Sequence, residues 1–337
     1  HVIAAGSLLE FALKDLSSFG VGRVSSLFVY PMSFDEFLTA TGQEGLLRTK
    51  RNSSPTNPLP EAFYNRLVEA FRSYMLVGGM PEAVATYMET GSYRYSSDIV
   101  NEIIQGYQDD FAKYGAKANP LLLRQTLISV AHQAGAKFVY SRVEGQYRSA
   151  EVKVALEMLK DAGLIIPTYH TDANGVPLGA EINERVVKYL IHDTGVLLGI
   201  LGIDDDIDDS IKEMMVADSI DLVDKGHVAE MMAGLELVKY SSPQKRHQLY
   251  YWQNMNKGTC AEVDYVIARS GSIVPIEVKS GVKGSMSSMY SLMRNPQKHI
   301  EMGIRCSLEN FGTFESPDGK KIDIIPLYAI SNLFAEK

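Results

Sequence analysis

Two short runs in the last third of the chain constrain its fold more than any other feature. Ala261-Glu262-Val263-Asp264-Tyr265-Val266-Ile267 and Ile273-Val274-Pro275-Ile276-Glu277-Val278-Lys279 alternate polar with apolar residues across a glycine-containing turn. Period-two alternation is the signature of strands, so the pair predicts a hairpin. Glu262 and Asp264 then share one face of the first strand, and Glu277 and Lys279 share one face of its partner. Burying such a face is costly unless the charges pair or bind an ion. Two or three convergent carboxylates form a hard oxygen site suited to Mg2+. Lys279 projects to the same side as Glu277, where an ammonium can orient or activate a water and offset charge building on a phosphate. Upstream, the run from His227 to Leu237 reads as an amphipathic helix that brings Glu230 as a further acid. The spacing fits phosphodiester hydrolysis. Glu230, Asp264, Glu277 and Lys279 are the candidate catalytic residues, with Asp264, Glu277 and Glu230 as candidate metal ligands.

Composition narrows the setting. At 45% hydrophobic and 22% charged, the 337 residues have the make-up of an ordinary globular protein with room for two or three domains. The longest apolar runs, such as Gly195 to Ile203, fall short of the roughly 18 to 20 residues a membrane-spanning helix requires, so no membrane partner is expected. Two cysteines, Cys260 and Cys306, make neither a disulfide framework nor a zinc pattern, which favours a reducing cytoplasm. The histidines lack zinc-enzyme spacing, and no G-x-S-x-G occurs. A net charge of −8 argues against a surface that attracts nucleic acid everywhere. The acid is concentrated between Asp204 and Asp224, however, and the stretch from Gly226 to Lys337 is slightly basic, a segregation found in nucleic-acid binders.

The chain opens on His1-Val2-Ile3-Ala4-Ala5-Gly6-Ser7, inside an apolar run, as a buried strand would look if the segment before it were missing; a fragment is expected. Ser33 and Glu36 form a capping box at the start of a helix. Pro55, Pro58 and Pro60 mark a loop, and a helical block from Glu61 to about Tyr114 is broken by Gly78-Gly79-Met80-Pro81. Helices over Leu121 to Ala134 and Ala150 to Ala162 precede two strand-like runs, Leu164 to His170 and Arg185 to His192, separated by Asn174-Gly175. That order suggests a winged helix. The second helix has a polar face of mixed charge, which suits a structural role better than base reading. Asp193 is a helix N-cap. Tyr240, Tyr250, Tyr251 and Trp252, set among basic residues, fit base stacking and strand packing equally.

Glu230, Asp264 and Glu277-Val278-Lys279 resemble the helix acid, the Asp and the E-x-K of the PD-(D/E)XK restriction-endonuclease-like superfamily. A wider resemblance rests on Ala5-Gly6-Ser7, Gly22-Arg23, Pro31-Met32-Ser33-Phe34-Asp35-Glu36-Phe37, Gly78-Gly79-Met80-Pro81, Ile191-His192-Asp193-Thr194-Gly195 and Ala261-Glu262-Val263-Asp264. Together these are similar to AAA-like (AAA_14-type) bacterial and archaeal ATPases that carry a DUF4143 region. The resemblance implies an α/β chain in three parts. Residues 1–60 would be the remnant of a P-loop ATPase core, 61–225 a helical and winged-helix region, and 226–337 a nuclease-like domain. It also implies Ser7 as a γ-phosphate sensor and Arg23 as a phosphate-reaching arginine. No G-x-x-x-x-G-K-[ST] occurs, so ATP would be bound only in the full-length parent. Two functions follow as expectations: Mg2+-dependent binding and cleavage of nucleic acid, DNA or RNA, or a catalytically inactive module that binds nucleic acid or protein and regulates the ATPase. A homo-oligomer or a protein partner is compatible with both.

Overall fold

The first helix among the described residues begins where the capping chemistry places it. The Ser33 hydroxyl accepts from the Glu36 N–H, and the Glu36 carboxylate accepts from the Ser33 N–H at 2.7 Å, opening α1 (Phe34–Ala40). A computed structural model describes residues 25–114, 118–202, 225–254, 261–281 and 284–334, with residues 3, 6, 23 and 209 described singly. The fold is mixed α/β.

Helices α2 (Glu44–Arg51), α3 (Glu61–Val77), α4 (Pro81–Thr90) and α5 (Tyr93–Phe111) build the N-terminal block. The expected break between α3 and α4 is present: Gly78 adopts φ +78° and Pro81 occupies the first turn of α4. Gly79 lies so close to the preceding segment that a Cβ there would stand 2.3 Å from the Met32 carbonyl oxygen. Asp193, fully buried, locks this elbow. One carboxylate oxygen accepts the Gly79 N–H at 2.7 Å and the other accepts the Val196 N–H at 3.2 Å, capping α8 (Thr194–Ile200). Asp193→Ala removes a cap and strands a buried N–H, so a loss of about 2–4 kcal/mol is expected in urea unfolding.

Between these elements, α6 (Pro120–His132) and α7 (Ser149–Asp161) precede β1 (Ile165–Thr171) and β2 (Ile182–Ile191). The strands pair antiparallel from Ile165↔Ile191 to Thr171↔Ile182. Two helices and a hairpin follow the order of a winged helix, but the hairpin is not left with a free edge on the β1 side. There β3 (Leu249–Gln253) joins in parallel, and β4 (Glu262–Val263) pairs antiparallel with β3, giving a sheet of order β2-β1-β3-β4. Tyr251 and Trp252 are buried by this pairing, so packing rather than base stacking accounts for them.

A second sheet, of order β5-β6-β7-β9-β8, contains β5 (Tyr265–Arg269), β6 (Ser272–Val278), β7 (Met302–Ser307), β8 (Gly312–Glu315) and β9 (Lys321–Pro326). Strands β6, β7 and β9 run parallel, and α10 (Ser287–Arg294) lies on the crossover between β6 and β7, as parallel pairing demands. The hairpin expected over 261–279 is present as β5 and β6, but its first strand is divided. Glu262 and Val263 belong to the first sheet and Tyr265 to Arg269 to the second, with Asp264 between them.

Helix α9 (Lys225–Lys239) departs from its expected amphipathic character. Every residue from Val228 to Val238 is buried, including Glu230 and Glu236, because the helix packs against β2 and β3 of one sheet, β6 of the other, and the final 3-10 segment (Leu327–Leu333). A helix covered on all sides shows no polar stripe.

Candidate functional site

The acidic residues gather where the two sheets meet. Asp264 occupies the one-residue gap between β4 and β5, and its carboxylate accepts the Val278 N–H at 2.7 Å, which fixes it against the end of β6. Glu277, one residue earlier on β6, is 5% exposed. One of its oxygens accepts from the Lys279 ammonium at 2.7 Å; the other, Oε2, is buried with no hydrogen-bond partner. Lys279 is held by its own N–H, which donates to the Cys306 carbonyl at 2.8 Å; a Cβ at Gly284 would stand 2.7 Å from its aliphatic stem. Glu230 enters from α9. The Tyr265 hydroxyl donates to its carbonyl at 2.8 Å, tying the helix to β5.

Two residues not among the sequence candidates complete the group. The Lys188 ammonium, from the middle of β2, stands 2.8 Å from Glu230 Oε1, 2.5 Å from Glu262 Oε1 and 5.0 Å from the centre of the Tyr251 ring. Glu262 shares the charged face of the predicted hairpin. The sequence sign of Lys188 is its place in Val186-Val187-Lys188-Tyr189-Leu190, where a lone charge interrupts a buried strand.

Burial dominates the electrostatics of the carboxyls. Burial lifts the Glu230 carboxyl to about 8 against the opposing pull of Lys188, with Asp264 and Glu262 adding to the rise. Burial also lifts Glu277 to about 7, assisted by Asp264 and opposed by Lys279. Asp264 is raised as well, burial outweighing the Val278 N–H and the two lysines. Burial would lower Lys188, but Glu230 and Glu262 more than offset it, and its pKa stands above the usual lysine value.

Glu230, Asp264, Glu277 and Lys279 are thus on elements that converge, but Glu230 is engaged by Lys188. Among the described residues, no group of three or more His, Cys, Asp or Glu side chains is arranged to hold a metal ion. Ser7 lies outside the described residues, as does Cys260; Arg23 is exposed, and its immediate neighbours lie outside them too. Cys306 is buried in β7. No described helix is long and apolar enough to cross a membrane.

The fold and the site together define a mixed α/β protein with a buried carboxylate and lysine cluster at the junction of two sheets. Residues 225–330 match the family described as Domain of unknown function (DUF4143), and residues 68–207 match Domain of unknown function (DUF8612). The first match contains Glu230, Glu262, Asp264, Glu277 and Lys279; the second contains Lys188. No curated protein and no solved structure matches the chain.

Proposed function

We propose that residues 225–330 carry a PD-(D/E)XK-type, Mg2+-dependent nuclease site that binds nucleic acid and cleaves a phosphodiester. The observation that carries this reading is Glu277 Oε2, a buried carboxylate oxygen without a partner, beside the half-buried Asp264 and the ammonium of Lys279. Hard oxygen donors fit Mg2+, which is commonly held by one or two carboxylates with water filling the other positions, so a three-ligand cage is not required. When bound, the ion supplies Lewis acidity and lowers the pKa of a coordinated water. Asp264 and Glu277 are the holding residues, the first oriented by the Val278 N–H. Lys279 orients the attacking water and offsets charge on the phosphate, and Glu230 is the supporting acid. The DUF4143 match supports an ATPase-like parent, in which ATP, Ser7 and Arg23 would take their places.

The test is incubation of the chain with single- and double-stranded DNA and RNA in Mg2+ or Mn2+. Cleavage lost in Asp264→Ala is expected; cleavage indifferent to that change, or none under any condition, overturns the reading. A second reading, a non-catalytic module binding nucleic acid or a protein partner, is favoured by Lys188, which already neutralises part of the cluster. A Mn2+-induced rise in Tm separates the two, because only the metal site predicts it.

A further inference from the structure

Lys188 reaches the acid cluster from the other matched region of the chain, and its side chain is 2% exposed. A lysine ammonium has three donors and no acceptor. Here it faces carboxylates of two elements, Glu230 on α9 and Glu262 on β4, and the face of the Tyr251 ring. A structural ion pair needs one acid; this ammonium bridges two, one on the helix and one on the strand that ends at Asp264.

We propose that Lys188 is a built-in occupant of one of two cation positions in the site, leaving a single position, at Asp264 and Glu277, for a divalent ion. The inference rests on the metal-dependent reading above. Charge supports the division. With every carboxyl ionised, as a bound divalent ion would hold them, the four carboxylates Glu230, Glu262, Asp264 and Glu277 stand against two ammonium groups, Lys188 and Lys279, and the formal deficit is the charge of one divalent ion. Hydrogen bonding supports it too: Glu230 and Glu262 each give an oxygen to Lys188, whereas Glu277 keeps a buried oxygen with no partner. Glu230 then acts as a positioning residue that anchors the ammonium, not as a ligand of the ion. The matched regions meet in one site, since the second cation comes from β2.

Mn2+ binding to the whole chain, by calorimetry at one fixed pH, tests the division through stoichiometry. The unaltered chain is expected to bind one Mn2+, lost in Glu277→Gln and kept in Glu230→Gln. Lys188→Met should bind two, and Lys188→Met combined with Glu230→Gln should return to one. Loss of the ion in Glu230→Gln, or no added Mn2+ in a folded Lys188→Met, overturns the proposal. If Lys188→Met folds only when Mn2+ is added, the ion has taken the place of the ammonium and the proposal stands. If it stays unfolded, the Glu230→Gln result decides. Should the unaltered chain bind no Mn2+ while Lys188→Met binds it, the assignment of Lys188 stands and the metal-dependent reading of the native site falls. If neither binds, both fall.

Discussion

Lys279→Met is expected to slow metal-dependent cleavage about 10²–10³-fold, the usual cost of removing a group that stabilises charge in the transition state. The same change should leave Mn2+ affinity as strong as before, or stronger. The reason is local: the Lys279 ammonium is 2.7 Å from Glu277 Oε1, so its loss makes the cluster more negative and frees a second carboxylate oxygen. Rate and affinity therefore move apart. Cleavage assays and a Mn2+ titration on the same preparation read both. An unchanged rate would remove Lys279 from the chemistry, and a joint loss of rate and metal would reduce it to a support for Glu277.

The largest effect on stability is expected away from the acid site. Lys50 is fully buried and forms an ion pair with Asp35, with the Ser331 hydroxyl 2.7 Å from its ammonium; Arg51 Nε also donates to Asp35 at 3.1 Å. Asp35→Asn leaves a buried ammonium without its counter-charge and should cost about 3–5 kcal/mol in urea unfolding. Asp35→Asn with Lys50→Met should recover most of that loss, since an uncharged pair of similar volume leaves no ammonium buried without its counter-charge. If the single and double variants are equally unstable, the pair is not the source. The sign with pH follows from Asp35. Burial pushes its carboxyl up, but Lys50, Tyr240 and Arg51 more than offset this and hold it below the ordinary value. A depressed carboxyl stabilises above its unfolded pKa and loses that contribution as pH falls through the folded one. The gap between the unaltered chain and Asp35→Asn should therefore narrow in acid.

Local chemistry was legible in the sequence. Ser33 with Glu36, the Gly78 to Pro81 break, Asp193 as a cap and the alternation around Glu277 each depend on neighbours a few residues away. The divided strand was not legible, because alternation runs unbroken through Asp264 while the hydrogen-bond partners change there. Nor was the full burial of α9, which depends on two sheets closing over it, so that Glu236 is buried as deeply as the leucines beside it. Lys188 lies 42 residues from Glu230. Nothing local in Val187-Lys188-Tyr189 names an acid as its partner; only the β1 to β3 pairing carries β2 to that place. Of the site, the residue types and their strands could be read from the sequence, but the ammonium that divides them could not.

That parallel pairing also determines what a protease can separate. Cutting the chain anywhere between residues 202 and 225 leaves every pairing among the described strands in place, since β1 and β2 lie before the cut and β3 to β9 after it. The two pieces remain stitched by the ladder from Thr168↔Leu249 to His170↔Tyr251 and by Lys188 among the carboxylates. Pulling them apart would bare a strand edge on each and strand a charge on both. A nicked protein should therefore travel as one particle through a sizing column and come apart only when it unfolds.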